Sequence, residues 1–164
     1  MKDVKRIGLV CAMVVVMAAS FGCGAQRSSG EGTAGSGQPV TAALEGVDGA
    51  AQTIAAGIVY FEYNRFDIQS QYAEVLKQKA ALLKQFPSIK IRIEGNCDER
   101  GTAEYNMALG SRRARAAYDY LHRLGVKPQQ METISYGKER PAVSGSTEEA
   151  WAKNRRDDFQ ILAR

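Results

Sequence analysis

Histidine and tryptophan each occur once in this 164-residue chain, and cysteine only three times. The lone His122 has no cysteine or carboxylate at ligand spacing. That excludes the usual zinc patterns and any histidine-based triad, and leaves His122 as a solvated helix residue. Three cysteines cannot frame a disulfide scaffold. No glycine-rich loop opens a helix after a strand, so no phosphate cradle is present. The one long apolar run, Ile7–Ala19, falls short of the roughly 20 residues that cross a hydrocarbon core. Positive charge is in small excess: the net charge is +4, half of it from Lys2, Lys5 and Arg6 against Asp3. The remainder is too weak a balance to point to nucleic acid. With 45% hydrophobic and 24% charged residues, the chain has the composition of one globular domain, neither collagen-like nor coiled-coil.

What is present begins with an address. Met1–Arg6 is a positive n-region, Ile7–Ala19 an apolar h-region, and small residues lead to Ser20-Phe21-Gly22-Cys23, which resembles the bacterial lipobox. Residues 1–22 read as a signal peptide and Cys23 as the lipidated first residue of the mature chain. The same residues also admit an uncleaved anchor, or a cut near Ala19 with Cys23 free. Gly24 is not the Asp that, in the Gram-negative lipoproteins it resembles, retains the product in the inner membrane, so the outer membrane is expected. Residues 23–57 read as a flexible linker: the stretch from Gly24 to Val40 holds Gly24, Gly30, Gly32, Gly35 and Gly37 and shows no apolar periodicity. As a coil such a stretch spans about 30–35 Å. Cys97 would then be the one unmodified cysteine of the mature chain. A Cys23–Cys97 bridge is open only if Cys23 is not acylated.

The globular part is expected at 58–164. Ile58–Phe61 is a β-branched and aromatic run, and Ser70 is a candidate helix cap. Gln71–Phe86 carries apolar residues at three- and four-residue steps and stops at Pro87. Ile89, Ile91 and Ile93 alternate with Lys90, Arg92 and Glu94, the period of a half-buried strand. Thr102 can cap a second helix, whose stripe Gly110, Ala114, Ala117, Leu121, Leu124 ends at Gly125, with small residues suited to close packing on a sheet. Met131–Tyr136 reads as a strand, Thr147–Asn154 as a short helix and Asp158–Leu162 as a last strand. The order β-α-β-α-β-(α)-β predicts an α+β two-layer sandwich with helices on one face of a mixed sheet. Trp151 and the cluster Tyr60, Phe61, Tyr63 and Phe66 are expected to pack the core.

Chemistry concentrates in Glu94-Gly95-Asn96-Cys97-Asp98-Glu99-Arg100-Gly101-Thr102, followed by Tyr105-Asn106, Leu109-Gly110 and Arg113-Ala114. Tyr136-Gly137-Lys138-Glu139-Arg140-Pro141 and Asn154-Arg155-Arg156 follow in order. Together these resemble the OmpA-like peptidoglycan-binding domain family, in its peptidoglycan-associated lipoprotein branch, over about Ile58–Leu162. Asn96 stands where that family has His, and Cys97 where it has Thr or Ala. The resemblance implies that Asp98 and Arg113 hold the diaminopimelate side chain of the peptidoglycan stem peptide. Asn106, Phe66, Asp67, Thr102 and Leu109 are implied as further pocket residues. The chemistry is consistent: the free end of diaminopimelate is a zwitterion, so Asp98 suits its ammonium and the Arg113 fork its carboxylate. Asn106, Gly110 and Arg113 share one helix face, and Gly110 would leave room for a ligand. Arg100, Arg112, Arg155 and Arg156 read as surface or sheet-edge charges. The resemblance further implies the propeller protein TolB and the Tol-Pal system as partners, with a role in outer-membrane invagination during division. A different class of function is a wall hydrolase using Glu94, Asp98 or Glu99 as acid and base. A stator- or porin-type anchor of the same family is the other alternative.

Overall fold

The computed structural model describes residues 40–164, with side chains from residue 46 onward. The expected signal segment and Cys23 lie outside the described residues. The elements run α1 (Val40–Ala56), β1 (Val59–Tyr60), a 3-10 turn at Ser70–Tyr72, α2 (Ala73–Gln85), β2 (Lys90–Asn96) and α3 (Ala103–Arg123). A second 3-10 turn at Pro128–Gln130, β3 (Met131–Gly137), α4 (Glu148–Asn154) and β4 (Arg156–Ala163) complete the chain. No helix among the described residues is long and apolar enough to cross a membrane.

The strands form one mixed sheet in the order β1-β4-β2-β3. β2 and β3 are parallel, with α3 as the crossover, whereas β4 lies antiparallel between β1 and β2. The isoleucine alternation does what its period demands: Ile91 and Ile93 are fully buried and meet Ala114, Ala117 and Leu121 of α3 and Leu76, Ala80 and Leu83 of α2 in one core. Burying each such aliphatic side chain contributes roughly 1.5–3 kcal/mol. Thr102 caps α3 by accepting from Tyr105 N at 3.2 Å, and Gly125 ends it at φ +91°. At that φ a side chain would be strained.

Two expectations fail. Ser70 does not cap α2 but opens the 3-10 turn before it, and neither turn nor helix has a side-chain cap there. The linker does not reach 57: residues 40–56 are helical, and Ala50, Ala51 and Ile54 join the core against α2 and β4. Two glycines at 46 and 49 hide the period, yet Val47, Ala50, Ala51 and Ile54 fall at steps of three and four and form one face.

The topology decides where a site can form. β1 and β2 both run antiparallel to β4, so β1 ends, β2 ends, β4 begins and α3 begins at the same end of the sheet. The loops after β1 and β2, the α3 N-terminus and the α4–β4 junction therefore converge there.

Candidate functional site

At that end lies a small cleft of about 100 Å³ lined by Tyr63, Asn64, Cys97, Asp98, Arg100, Gly101, Tyr105, Asn106, Leu109, Arg113 and Arg155. Asp98 is its centre and is only 4% exposed. Its Oδ1 accepts from the backbone N of Arg100 at 3.1 Å and from Arg100 Nε at 3.2 Å. Its Oδ2 accepts from Arg100 Nη2 at 2.6 Å and Arg155 Nη1 at 3.3 Å. Burial alone would push the Asp98 carboxyl up, but these bonds outweigh it and hold the group below the usual carboxylate range. Asp98 is an anion ringed by arginines.

The three arginines are held differently. Arg155 is buried and spends Nε on Phe61 O at 3.0 Å and Nη2 on Glu148 at 2.7 Å. Arg113, fully buried in α3, donates to the carbonyls of Arg65 and Asn96 at 2.8 Å, to Glu62 O at 3.2 Å, and to Cys97 Sγ at 3.5 Å. It ties the loop after β1 to the end of β2. Arg100 is more exposed, and its guanidinium carbon lies 4.2 Å from the Tyr63 ring centre and 4.1 Å from that of Trp151. Asn106 stabilises the loop beneath by donating to Arg100 O at 2.8 Å and Thr102 O at 3.2 Å. Lys138 donates to Gly101 O at 2.7 Å from the other side. Asn64, at φ +56°, accepts from the Tyr105 hydroxyl across the mouth.

Of the residues expected from sequence, Asp98, Arg113, Asn106 and Leu109 line the cleft, and Phe66, Asp67 and Thr102 do not. Phe66 is 46% exposed and lines a separate groove with Ser111, Arg112 and Arg115. Asp67 is an exposed partner of Arg65, and Thr102 is occupied as the α3 cap. Tyr63 and Asn64, three residues earlier, form the wall instead. Gly110 gives no room to a ligand: a Cβ there would collide with Ser135 Oγ and Gly95 O. Arg155 and Arg156 are buried, contrary to the surface reading, and Arg100 and Arg155 belong to the site. Tyr63 is 59% exposed and does not pack the core. Chain reversals at one sheet end, which no spacing reveals, bring these groups together. Among the described residues no cluster of histidine, cysteine and carboxylate could hold a metal.

The OmpA family pattern matches residues 60–155 of this chain. Two curated relatives are both named peptidoglycan-associated lipoprotein. One, from Pseudomonas aeruginosa, is 40% identical over 96% of this chain and 99% of its own length. The other, from Pasteurella multocida, is 50% identical over 60% of this chain and 65% of its own length. The chain belongs to the OmpA family, in its peptidoglycan-associated lipoprotein branch. A crystal structure from that branch, of Burkholderia pseudomallei, is 46% identical, superposes with a TM-score of 0.65, and covers 67% of this chain and 93% of its own. The C-terminal domain of Helicobacter pylori MotB, at 22% identity and a TM-score of 0.61, shares the fold. OmpA-family membership agrees with the α+β layout, and the Asp98 loop, Asn106 and Arg113 all fall inside the matched span.

Proposed function

We propose that the cleft binds the free zwitterionic end of diaminopimelate in the peptidoglycan stem peptide, noncovalently and without turnover. The observation that carries this reading is a buried carboxylate set among three arginines in an open cleft. Asp98 offers the only anion lining the cleft, which suits an ammonium, and the surplus positive charge suits the adjoining carboxylate. Arg113 braces the walls and adds its charge. A general acid needs a raised pKa, whereas Asp98 stays below its ordinary range despite burial, and Glu99 is lowered by hydrogen bonds from Ser146 and Trp151. This disfavours Asp98 and Glu99 as general acids.

Joined to a signal peptide over residues 1–22 and a lipid on Cys23, the domain becomes a tether between the outer membrane and the wall, facing the periplasm. Kinship with the peptidoglycan-associated lipoproteins extends the proposal to TolB and the Tol-Pal system as partners in division. The test is co-sedimentation of the full-length protein with diaminopimelate-type sacculi in detergent. Binding is expected to be competed by soluble diaminopimelate tripeptide and lost in Asp98→Ala. Equal retention on Lys-type sacculi, or release of muropeptides, would overturn the reading. Membrane release of Cys23→Ser tests the anchor.

A further inference from the structure

Arg113 lines the cleft, but its guanidinium is fully buried and committed to three backbone carbonyls and a thiol. Arg155 is as deeply held, on Phe61 O, Glu148 and Asp98. Turning either toward a ligand would strand buried polar groups. Arg100 shares the partners Asp98 and Glu148 with Arg155 but is held by fewer buried groups. Its bonds to Asp98 are local, closing a loop of two residues, and its contact with Glu148 is long at 3.6 Å. Its remaining hold is contact with the Tyr63 and Trp151 rings, whose centres lie 4.2 and 4.1 Å from its guanidinium carbon. A cation over a ring is held by charge and not by a directed hydrogen bond. Arg100 can thus turn without leaving the two rings.

Its present direction matters, because Arg100 occupies both oxygens of Asp98. An ammonium arriving at Asp98 must take one of those places. We propose that Arg100 reads the carboxylate of the bound zwitterion, yielding Asp98 to the incoming ammonium and turning its freed fork to the neighbouring carboxylate while staying against the Tyr63 and Trp151 rings. This rests on the wall-peptide reading above. The exchange conserves charge: the Asp98–Arg100 pair becomes two pairs with the zwitterion between them. The fork then makes the two parallel bonds that a lysine could not.

The protein carries its own reporter, since Trp151 is the only tryptophan in the chain and its ring lies against the Arg100 guanidinium. The full-length protein in detergent is titrated with a diaminopimelate tripeptide and with the same peptide whose side-chain carboxylate is an amide. Both affinity and tryptophan fluorescence are read. The wild type is expected to prefer the free acid by roughly tenfold or more, with a fluorescence change on binding. Arg100→Gln is expected to bind the two peptides within about twofold of each other and to lose most of the change, with circular dichroism intact. Arg100→Lys is expected to recover only part of the preference. An Arg100→Gln protein that keeps both preference and signal overturns the assignment, with the site reading intact. A wild type that binds neither peptide overturns the site reading and the assignment with it.

Discussion

Gly95 of β2 and Gly110 of α3 lie back to back, so close that a Cβ on Gly95 would overlap the carbonyl of Gly110. This contact sets the depth at which α3 rests on the sheet, and with it the height of Arg113 beside the end of β2. Gly110→Ala is expected to cost about 1–3 kcal/mol through overpacking, read by urea denaturation. Because Arg113 rides on the same helix, wall binding should weaken along with stability. Unchanged stability would mean that the helix has freedom to retreat.

Asp98 and Arg155 are a pair in which both side chains are only 5% exposed. Asp98→Ala removes one partner of a buried ion pair, which typically costs about 3–5 kcal/mol. The pH dependence has a definite sign. The folded-state pKa of Asp98 lies below its unfolded value of about 3.9. Its stabilisation is therefore complete above that value and disappears as pH falls through the folded pKa. Acid titrations of wild type and Asp98→Asn should converge at the lowest pH, separate as pH rises toward about 4 and stay apart above it.

Lys79 of α2 is buried, donates to the Ile54 carbonyl of α1 and lies 4.1 Å from the Phe159 ring centre. Burial pushes its amine down to about 7. The unfolded chain, with lysine near 10.4, binds the extra proton between these values, so unfolding free energy should rise with pH across about 7–10. The slope is at most about 1.4 kcal/mol per pH unit. Lys79→Met is expected to flatten that rise and raise stability at neutral pH. A slope that persists in Lys79→Met would assign it to another group.

Asp157 of β4 is fully buried, and neither carboxyl oxygen has a hydrogen-bond partner. Burial holds its pKa well above the ordinary value despite the attraction of Arg113. Its stabilising contribution is present below the unfolded pKa and lost as pH rises toward the folded one. Asp157→Asn removes that penalty and should raise neutral-pH stability by on the order of 1 kcal/mol, measured by thermal unfolding. Destabilisation would mean that the carboxylate is paired with Arg113 in solution.

Much of the fold could be read in the chain because local signals agreed. Ile89–Ile93 alternates cleanly, Thr102 and Gly125 bracket α3, and Pro87 stops α2. α1 was not legible, because Gly46 and Gly49 lower its propensity and its apolar face is mostly alanine, stabilised only by what it packs against. In the site, Asp98, Asn106 and Arg113 were found through an ordered motif. Arg155 was not, because its burial depends on distant partners: Phe61 is 94 residues away in sequence. Arg100 was not, because its place beside Asp98 depends on the Tyr63 and Trp151 rings brought against it by the fold. Tyr63 and Asn64 were missed because the turn that aims them depends on one left-handed residue, Asn64 itself.

The docking of α1 has a mechanical side. It meets the rest of the fold through Ala50, Ala51, Ile54 and the Lys79 contact, a narrower seam than the interstrand bonds of β2 and β4. A pull applied at Val40 loads that seam first. Unwinding these 17 residues from about 1.5 Å to about 3.3 Å per residue releases roughly 30 Å of chain. That length enters the chain ahead of β1, outside the strands that carry the cleft.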